Sequence, residues 1–171
     1  MSHSRLATVA LFAFNRPETT LATLQALQRC DGFQGRQFYL FCDGPRQSRT
    51  EDVAAVASVR QLLQDWAAGQ QAECLFSDTN RGLRDSIVGG VREVLSSHSQ
   101  VIVMEDDIVA APLDICSLCS SRWMPCRMCL QSGRSLGLFY PASSLAGHPG
   151  FPGTAVLLGL GDVAGSLEPI L

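Results

Sequence analysis

Short apolar runs alternate with longer amphipathic segments along roughly the first hundred residues of the chain. The apolar runs are rich in β-branched and aromatic residues and show little polar alternation, a pattern typical of strands buried on both faces of a parallel sheet. Four such strands are predicted, at residues 6–14, 37–42, 73–77 and 100–104.

Between these strands, apolar residues recur at helical spacing. The first helix is predicted to begin at Pro17, since a proline suits the first helical turn, and the others span residues 51–67 and 83–96. Regular alternation of strands and helices predicts an α/β fold with a mostly parallel sheet, flanking helices and right-handed crossovers. We expect residues 1–112 to form a Rossmann-like nucleotide-binding half-domain.

A polar loop follows each predicted strand. Ligands of parallel α/β sheets bind at the carboxyl ends of the strands, so these loops hold the candidate binding residues. The loops are Asn15-Arg16, Asp43-Gly44, Asn80-Arg81-Gly82 and Glu105-Asp106-Asp107.

The acidic triplet Glu105-Asp106-Asp107 is the most informative of these loops. Three adjacent carboxylates at the end of a buried strand repel one another unless a cation lies among them. Oxygen ligands favour Mg²⁺ or Mn²⁺, and such an ion commonly completes its coordination shell with substrate phosphates. The triplet therefore predicts a metal–diphosphate site, and the alternative is an acidic turn exposed to solvent.

The other loops offer groups that could contact a nucleotide. Asp43 is able to accept a hydrogen bond from a nucleobase N–H or a ribose hydroxyl, or to cap the backbone of its own turn. The guanidinium groups of Arg16, Arg81 and Arg84 present paired donors that suit phosphates and bases. The alternative for each arginine is an ordinary solvent-exposed position.

Four segments, in this order, resemble bacterial family 2-type glycosyltransferases of the GT-A fold. They are FAFNRPETT, LFCDGPR, SDTNRGLRDSIVGGV and VIVMEDDIVAAP. The last segment also resembles the N-acetylglucosaminyltransferase I type, and the resemblance as a whole covers residues 6–112. It implies a nucleotide-diphosphate sugar as donor, such as a UDP-sugar or a sugar linked to another pyrimidine diphosphate nucleoside. It also implies a divalent metal, and the transfer of a hexosyl or N-acetylhexosaminyl group to a sugar acceptor.

The resemblance also implies roles for individual residues, with Asp43 near the base and Asp107 as a direct metal ligand. The residues implied to contact the donor are Asn15, Arg16, Asp43, Asn80, Arg81, Arg84 and Asp106, and those implied to bind the metal are Glu105 and Asp107. One position differs from the family pattern. Many members have an arginine where this chain has Ile87, so Arg81 or Arg84 would substitute for it.

Residues 113–171 are rich in Ser, Gly, Pro and Leu and lack a sustained strand or helix period. Nothing in them resembles the acceptor-binding half of the family, which supplies the catalytic base. Read in other frames, codons for residues 114–120 and 160–167 are able to encode segments similar to that half. We therefore expect an aberrant, frameshifted tail of irregular or disordered structure, and a chain that is truncated and inactive in sugar transfer.

Two other functions stay open at the level of the sequence. A nucleotidyltransferase would share the sheet and the acidic metal site, although the chain contains no lysine for a phosphate-binding loop. A zinc-binding interaction module would use Cys116-x-x-Cys119 and Cys126-x-x-Cys129. The six residues between these pairs are fewer than in common zinc folds, which separate them by about 15–20.

The charge and hydropathy of the chain indicate which classes of binding partner to expect. The net charge is −3, whereas proteins that neutralise nucleic-acid phosphates are basic, so no nucleic acid is expected. The chain has no apolar run long enough for a transmembrane segment. Its N-terminal stretch lacks a signal-peptide cleavage site, and the expected compartment is cytoplasmic, free or associated with a membrane surface.

Overall fold

The computed structural model describes residues 7–107 and 154–158. Strands and helices alternate along the chain. They are β1 (Thr8–Ala13), α1 (Pro17–Gln28), β2 (Phe38–Cys42), α2 (Glu51–Ala67), β3 (Ala72–Phe76), α3 (Leu83–Ser97), β4 (Gln100–Glu105) and β5 (Thr154–Leu158). All neighbouring strands pair in parallel, in the order β3-β2-β1-β4-β5. The predicted α/β fold with a parallel sheet and flanking helices is confirmed.

β5 pairs with β4 from Thr154 beside Gln100 to Leu158 beside Met104. This strand belongs to the C-terminal segment in which the sequence predicts no regular element, so the sheet takes in residues beyond 112. The rest of that segment lies outside the described residues, and with it the two Cys-x-x-Cys pairs and the expected frameshifted tail.

β1 lies in the middle of the sheet, and all six of its residues are buried. Its side chains alternate between the two faces. Val9 and Leu11 belong to the core shared with α1 and α2, whereas Ala10 and Phe12 belong to the core shared with α3. Because both faces are covered, the sequence of β1 is a continuous apolar run without polar alternation.

Two helices cover one face of the sheet, and a third covers the other. The buried aliphatic residues on the inner sides of the helices are Leu24 and Leu27 of α1, Val56, Val59 and Leu63 of α2, and Val91, Val94 and Leu95 of α3. Full burial of one such side chain stabilises the fold by about 1.5–3 kcal/mol. These three described helices have 12 to 17 residues, and none is long and apolar enough to cross a membrane.

The strand order creates a topological switch point between β1 and β4 at the carboxyl edge of the sheet. From β1 the chain progresses outward through β2 to β3, and it then returns to β4 on the opposite side of β1. The loop after β1 leads to α1, and the triplet at the end of β4 lies beside it. Ligands of open α/β sheets bind at such a switch point, which here lies between Arg16 and the triplet Glu105-Asp106-Asp107.

α3 approaches the sheet closely at Gly90. Beneath this residue the rings of Phe12 and Phe41 stack with centroids 4.7 Å apart and planes 6° from parallel. A Cβ atom at position 90 would lie 2.7 Å from two ring carbons of Phe12 and 3.0 Å from one of Phe41. A side chain there would have to push α3 away from two stacked rings that have little room to move.

Substitution of Gly90 by alanine should therefore destabilise the fold. We expect Gly90→Ala to lower the free energy of unfolding by about 1–3 kcal/mol, the usual cost of overpacking a core. Gly89→Ala is the matched control, because a Cβ there meets only the Arg81 guanidinium at 3.7 Å. The control should be neutral or raise stability by up to about 1 kcal/mol through helix propensity. Urea unfolding of both variants measures the difference, and equal stabilities would contradict the close packing.

Candidate functional site

Side chains from four loops meet at the carboxyl edge of the sheet, in three separate clusters. Arg16 contacts Asp106 and Asp107 across the switch point. Asp43 binds the loop between β3 and α3, and Asn15 binds the first turn of α2. The structure thus brings most of the predicted site residues into contact with one another or with neighbouring loops.

Arg16 bridges two of the three carboxylates of the triplet. It is the residue immediately before α1, and its Nη2 donates to Asp106 Oδ1 at 2.5 Å while its Nη1 donates to Asp107 Oδ2 at 3.0 Å. Burial opposes the charge on Arg16, but the two carboxylates outweigh it and raise the pKa of the guanidinium. The predicted repulsion within the triplet is thus relieved in part by a cation from the protein itself.

Asp106 is a structural anchor for the loop between β1 and α1. Its side chain is 3% exposed. Arg16 binds Oδ1, and Oδ2 accepts hydrogen bonds from the backbone N–H of Phe14 at 3.2 Å and, at 3.4 Å, from the hydroxyl of Thr20, whose proton is shared with the carbonyl oxygen of Arg16 at 2.7 Å. The backbone carbonyl of Asp106 accepts a further hydrogen bond, from the hydroxyl of Thr23 at 3.0 Å. Both carboxylate oxygens therefore accept hydrogen bonds from the protein itself, and the side chain helps to hold this loop in place.

The carboxylates of Glu105 and Asp107, unlike that of Asp106, are not fully neutralised or hydrogen-bonded within the described residues. Asp107 Oδ1 is buried and has no hydrogen-bond partner in the part of the chain that the structure describes. Burial raises the pKa of the partly buried Glu105 carboxyl, and the negative charges of Asp107 and Asp106 raise it further. Negative charge at the end of β4 is therefore only partly compensated by Arg16.

These two carboxylates suit a divalent metal site in which the protein supplies only part of the coordination shell. Within residues 7–107, no group of three or more His, Cys, Asp and Glu side chains is arranged to enclose a metal ion. Mg²⁺ commonly needs only one or two protein carboxylates, since water and substrate phosphates complete its shell. Asp107 Oδ1 is the carboxylate oxygen of this triplet that is buried without a donor from the described residues. Glu105 and Asp107 would hold such an ion at the switch point.

Asp43 joins the loop after β2 to the loop after β3. Its buried carboxylate accepts hydrogen bonds from three backbone N–H groups, those of Gly44 at 3.0 Å, Arg81 at 3.0 Å and Gly82 at 2.9 Å. The bond to Gly44 is the cap on its own turn that the sequence suggests. The bonds to Arg81 and Gly82 extend that capping to the start of α3, and they occupy the carboxylate that a nucleobase would otherwise meet.

Asn80 and Gly44 complete this connection from the opposite side. Asn80 Nδ2 donates to the carbonyl oxygen of Gly44 at 2.9 Å. The two loops run so close that a Cβ on Gly44 would lie 2.5 Å from the carbonyl carbon of Thr79. Asn80 therefore holds the same pair of loops as Asp43 does, in the reverse direction.

Arg81 and Arg84 are exposed beside the start of α3. Within the described residues, neither guanidinium is recorded in a hydrogen bond or an ion pair, although the Arg81 backbone is held by Asp43. Ile87, at the position where the resembling family has an arginine, instead packs against the core under α3. The cations that this part of the edge offers to a ligand are thus Arg81 and Arg84.

Two residues of the site, Asp52 and Arg46, were not predicted from the sequence. Asp52 is buried, and its carboxylate accepts hydrogen bonds from Asn15 Nδ2 at 2.8 Å and from Arg46 Nε at 2.5 Å and Nη2 at 2.8 Å. Arg46 also lies over the ring of Phe14, with 5.2 Å to its centroid. The hydrogen bond from Arg46, with that from Asn15, holds the pKa of Asp52 well below its usual value. An aspartate in the first turn of a predicted helix, close after an arginine, was the available signal.

Replacement of Asp43 by asparagine tests its structural role. The amide group would present N–H donors to the N–H groups of Arg81 or Gly82, so we expect a loss of about 1–3 kcal/mol in the free energy of unfolding. Asp78→Asn is the control, because Asp78 is exposed on the same loop and should change stability by less than about 0.5 kcal/mol. A variant of full stability with impaired nucleotide binding would instead assign Asp43 to the ligand.

The stability contribution of Asp52 should depend on pH. Its pKa is lower in the folded protein than its ordinary value of 3.8, so its stabilising effect is present above that pH and is lost as the pH falls through and below it. Asp52→Asn should therefore be less stable than the wild type at neutral pH, and the difference should shrink on acidification. Urea unfolding across acidic pH measures this, with Asp65→Asn, exposed on the same helix, as control. A pH-independent difference would contradict the assignment.

Comparison with known proteins adds no further assignment. No family model, curated protein or solved structure matches this chain. The α/β fold is therefore established by the structure itself, and the functional interpretation depends on the geometry of the carboxyl edge and on the motifs that resemble GT-A glycosyltransferases.

Proposed function

We propose that the chain is a glycosyltransferase-type protein of the GT-A kind, whose described part binds a nucleotide-diphosphate sugar through Mn²⁺ or Mg²⁺. One observation carries the proposal. The switch point of the parallel sheet holds two incompletely neutralised carboxylates, Glu105 and Asp107, and Asp107 has a buried oxygen that receives no hydrogen bond from residues 7–107. A metal-bound diphosphate is the ligand chemistry that this charge distribution suits best.

The residues of the proposed metal site have different roles. A bound divalent ion would neutralise charge on the diphosphate as it leaves the sugar. Glu105 and Asp107 would hold the ion, while Asp106 maintains the loop beside it through its bonds to Phe14 and Thr20. The exposed guanidinium groups of Arg81 and Arg84 would contribute further positive charge along the same edge.

The proposed contacts to the nucleoside differ in kind from those of the metal site. Asn15, Asp43 and Asn80 are engaged with Asp52, the α3 loop and Gly44 respectively. On this proposal they determine the shape and spacing of the loops that receive the nucleoside. Within the described residues, no observation specifically favours a nucleotidyltransferase or a zinc module.

Metal-dependent binding of a nucleoside diphosphate tests the proposal. We expect the 171-residue chain to bind uridine diphosphate at least about tenfold more tightly in Mn²⁺ than in chelator, because a tenfold change in affinity corresponds to about 1.4 kcal/mol and a single contact to a charged group contributes about 1.5–3 kcal/mol. Asp107→Ala should abolish this dependence because it removes the available oxygen. Isothermal titration calorimetry measures both.

Asp31→Ala is the matched control for charge. Asp31 is exposed in the loop between α1 and β2, at the opposite edge of the sheet, so its removal should leave the metal dependence unchanged. Equal affinities with Mn²⁺ and with chelator for the wild type would refute the proposed metal–diphosphate site.

A further inference from the structure

Arg16 occupies the electrostatic position that a metal ion would take. Its guanidinium spans the switch point and contacts both Asp106 and Asp107. A divalent cation among the same carboxylates would lie within a few ångströms of this positive charge. The two cations would repel each other strongly at such a distance, so they compete for the same negative charge.

The contact of Arg16 with Asp107 is more accessible to a competing ligand than its contact with Asp106. Asp106 is 3% exposed and holds two other donors, so its bond to Arg16 is enclosed by the fold. Asp107 is 26% exposed, and among residues 7–107 only Arg16 donates a hydrogen bond to its carboxylate. The side chain of Arg16 is itself 48% exposed, so solvent reaches it.

We propose that Arg16 is an internal countercation that a divalent metal displaces from Asp107, and that the displaced guanidinium then contacts the diphosphate of the donor. This inference rests on the proposed function and deepens it. Nη2 keeps its bond to Asp106, while Nη1 exchanges a carboxylate oxygen for a phosphate oxygen, which is an equally good acceptor for a guanidinium.

The exchange makes metal and diphosphate binding mutually dependent. Without a diphosphate, a metal on Asp107 Oδ1 repels the guanidinium that contacts Oδ2, and the displaced Nη1 is left without an acceptor. With a diphosphate, the guanidinium regains an acceptor, so each ligand strengthens the binding of the other. Arg16 thus lowers the affinity of the empty protein for metal and favours the metal–diphosphate complex.

Binding of Mn²⁺ in the absence of nucleotide tests the inference directly. The signal of free Mn²⁺ in electron paramagnetic resonance gives the affinity for the full chain and its variants. We expect Arg16→Gln to bind Mn²⁺ at least about tenfold more tightly than the wild type, because a competing positive charge is removed. Arg29→Gln, an exposed arginine just after α1, should leave the affinity unchanged. The double variant Arg16→Gln/Asp107→Asn should lose the gain.

Circular dichroism shows whether Arg16→Gln folds. If it does not, a second variant, Arg16→Lys, tests the inference. Arg16→Lys keeps a charge beside Asp106 but has a single ammonium group that is too compact to bridge both carboxylates as the guanidinium does. It should bind Mn²⁺ at least about threefold more tightly than the wild type, because Asp107 is released. Unchanged or weaker Mn²⁺ binding in the folded variant overturns the inference.

Failure of this inference is distinguishable from failure of the proposed function. Metal-dependent binding of uridine diphosphate by the wild type, with no gain of Mn²⁺ affinity in either Arg16 variant, would refute the exchange and leave the donor site standing. A gain of Mn²⁺ affinity without any binding of uridine diphosphate would support displacement of Arg16 by the metal, and it would refute both the donor site and the contact between the guanidinium and a diphosphate.

Discussion

The contact between Asp106 and the loop after β1 is the constraint on which the candidate site depends. β1 and β4 pair as far as Phe12 and Glu105, and beyond that register side-chain hydrogen bonds hold their loops together. Asp106 does so through Phe14, Arg16 and Thr20. Its carboxylate is buried, and removal of its cationic partner would leave an uncompensated charge, which is strongly destabilising.

The acidic residues along this edge divide into two groups by their surroundings. Asp43, Asp52 and Asp106 are buried and accept hydrogen bonds from neighbouring loops. Glu105 and Asp107 are partly exposed and retain unsatisfied charge. The first group makes the loops rigid with respect to one another. Such rigidity positions the second group for a ligand, because a metal site needs its carboxylates held in place before the ion arrives.

Most of the architecture could be predicted because it is encoded in local patterns. The strand predicted at 6–14 is β1 (Thr8–Ala13), and the helix predicted from Pro17 begins at that residue. Burial on both faces produces continuous apolar runs, and a proline at the first helical position marks a helix start. β5 was not predicted, because the short apolar stretch Thr154–Leu158 lies among glycines and prolines with no alternating element beside it.

For the candidate site, the sequence by itself determined which loops lie at the carboxyl edge and which polar residues they carry. It did not determine which of these side chains bind one another. Arg16 and Asp106 are 90 residues apart, and Asp43 and Gly82 are 39 apart, so their pairing depends on the strand order and on the closeness of the loops. The same pattern of charged residues is compatible with exposed ligands or with internal anchors. Only the tertiary structure decided between them, because burial and the supply of backbone N–H donors are properties of the assembled sheet.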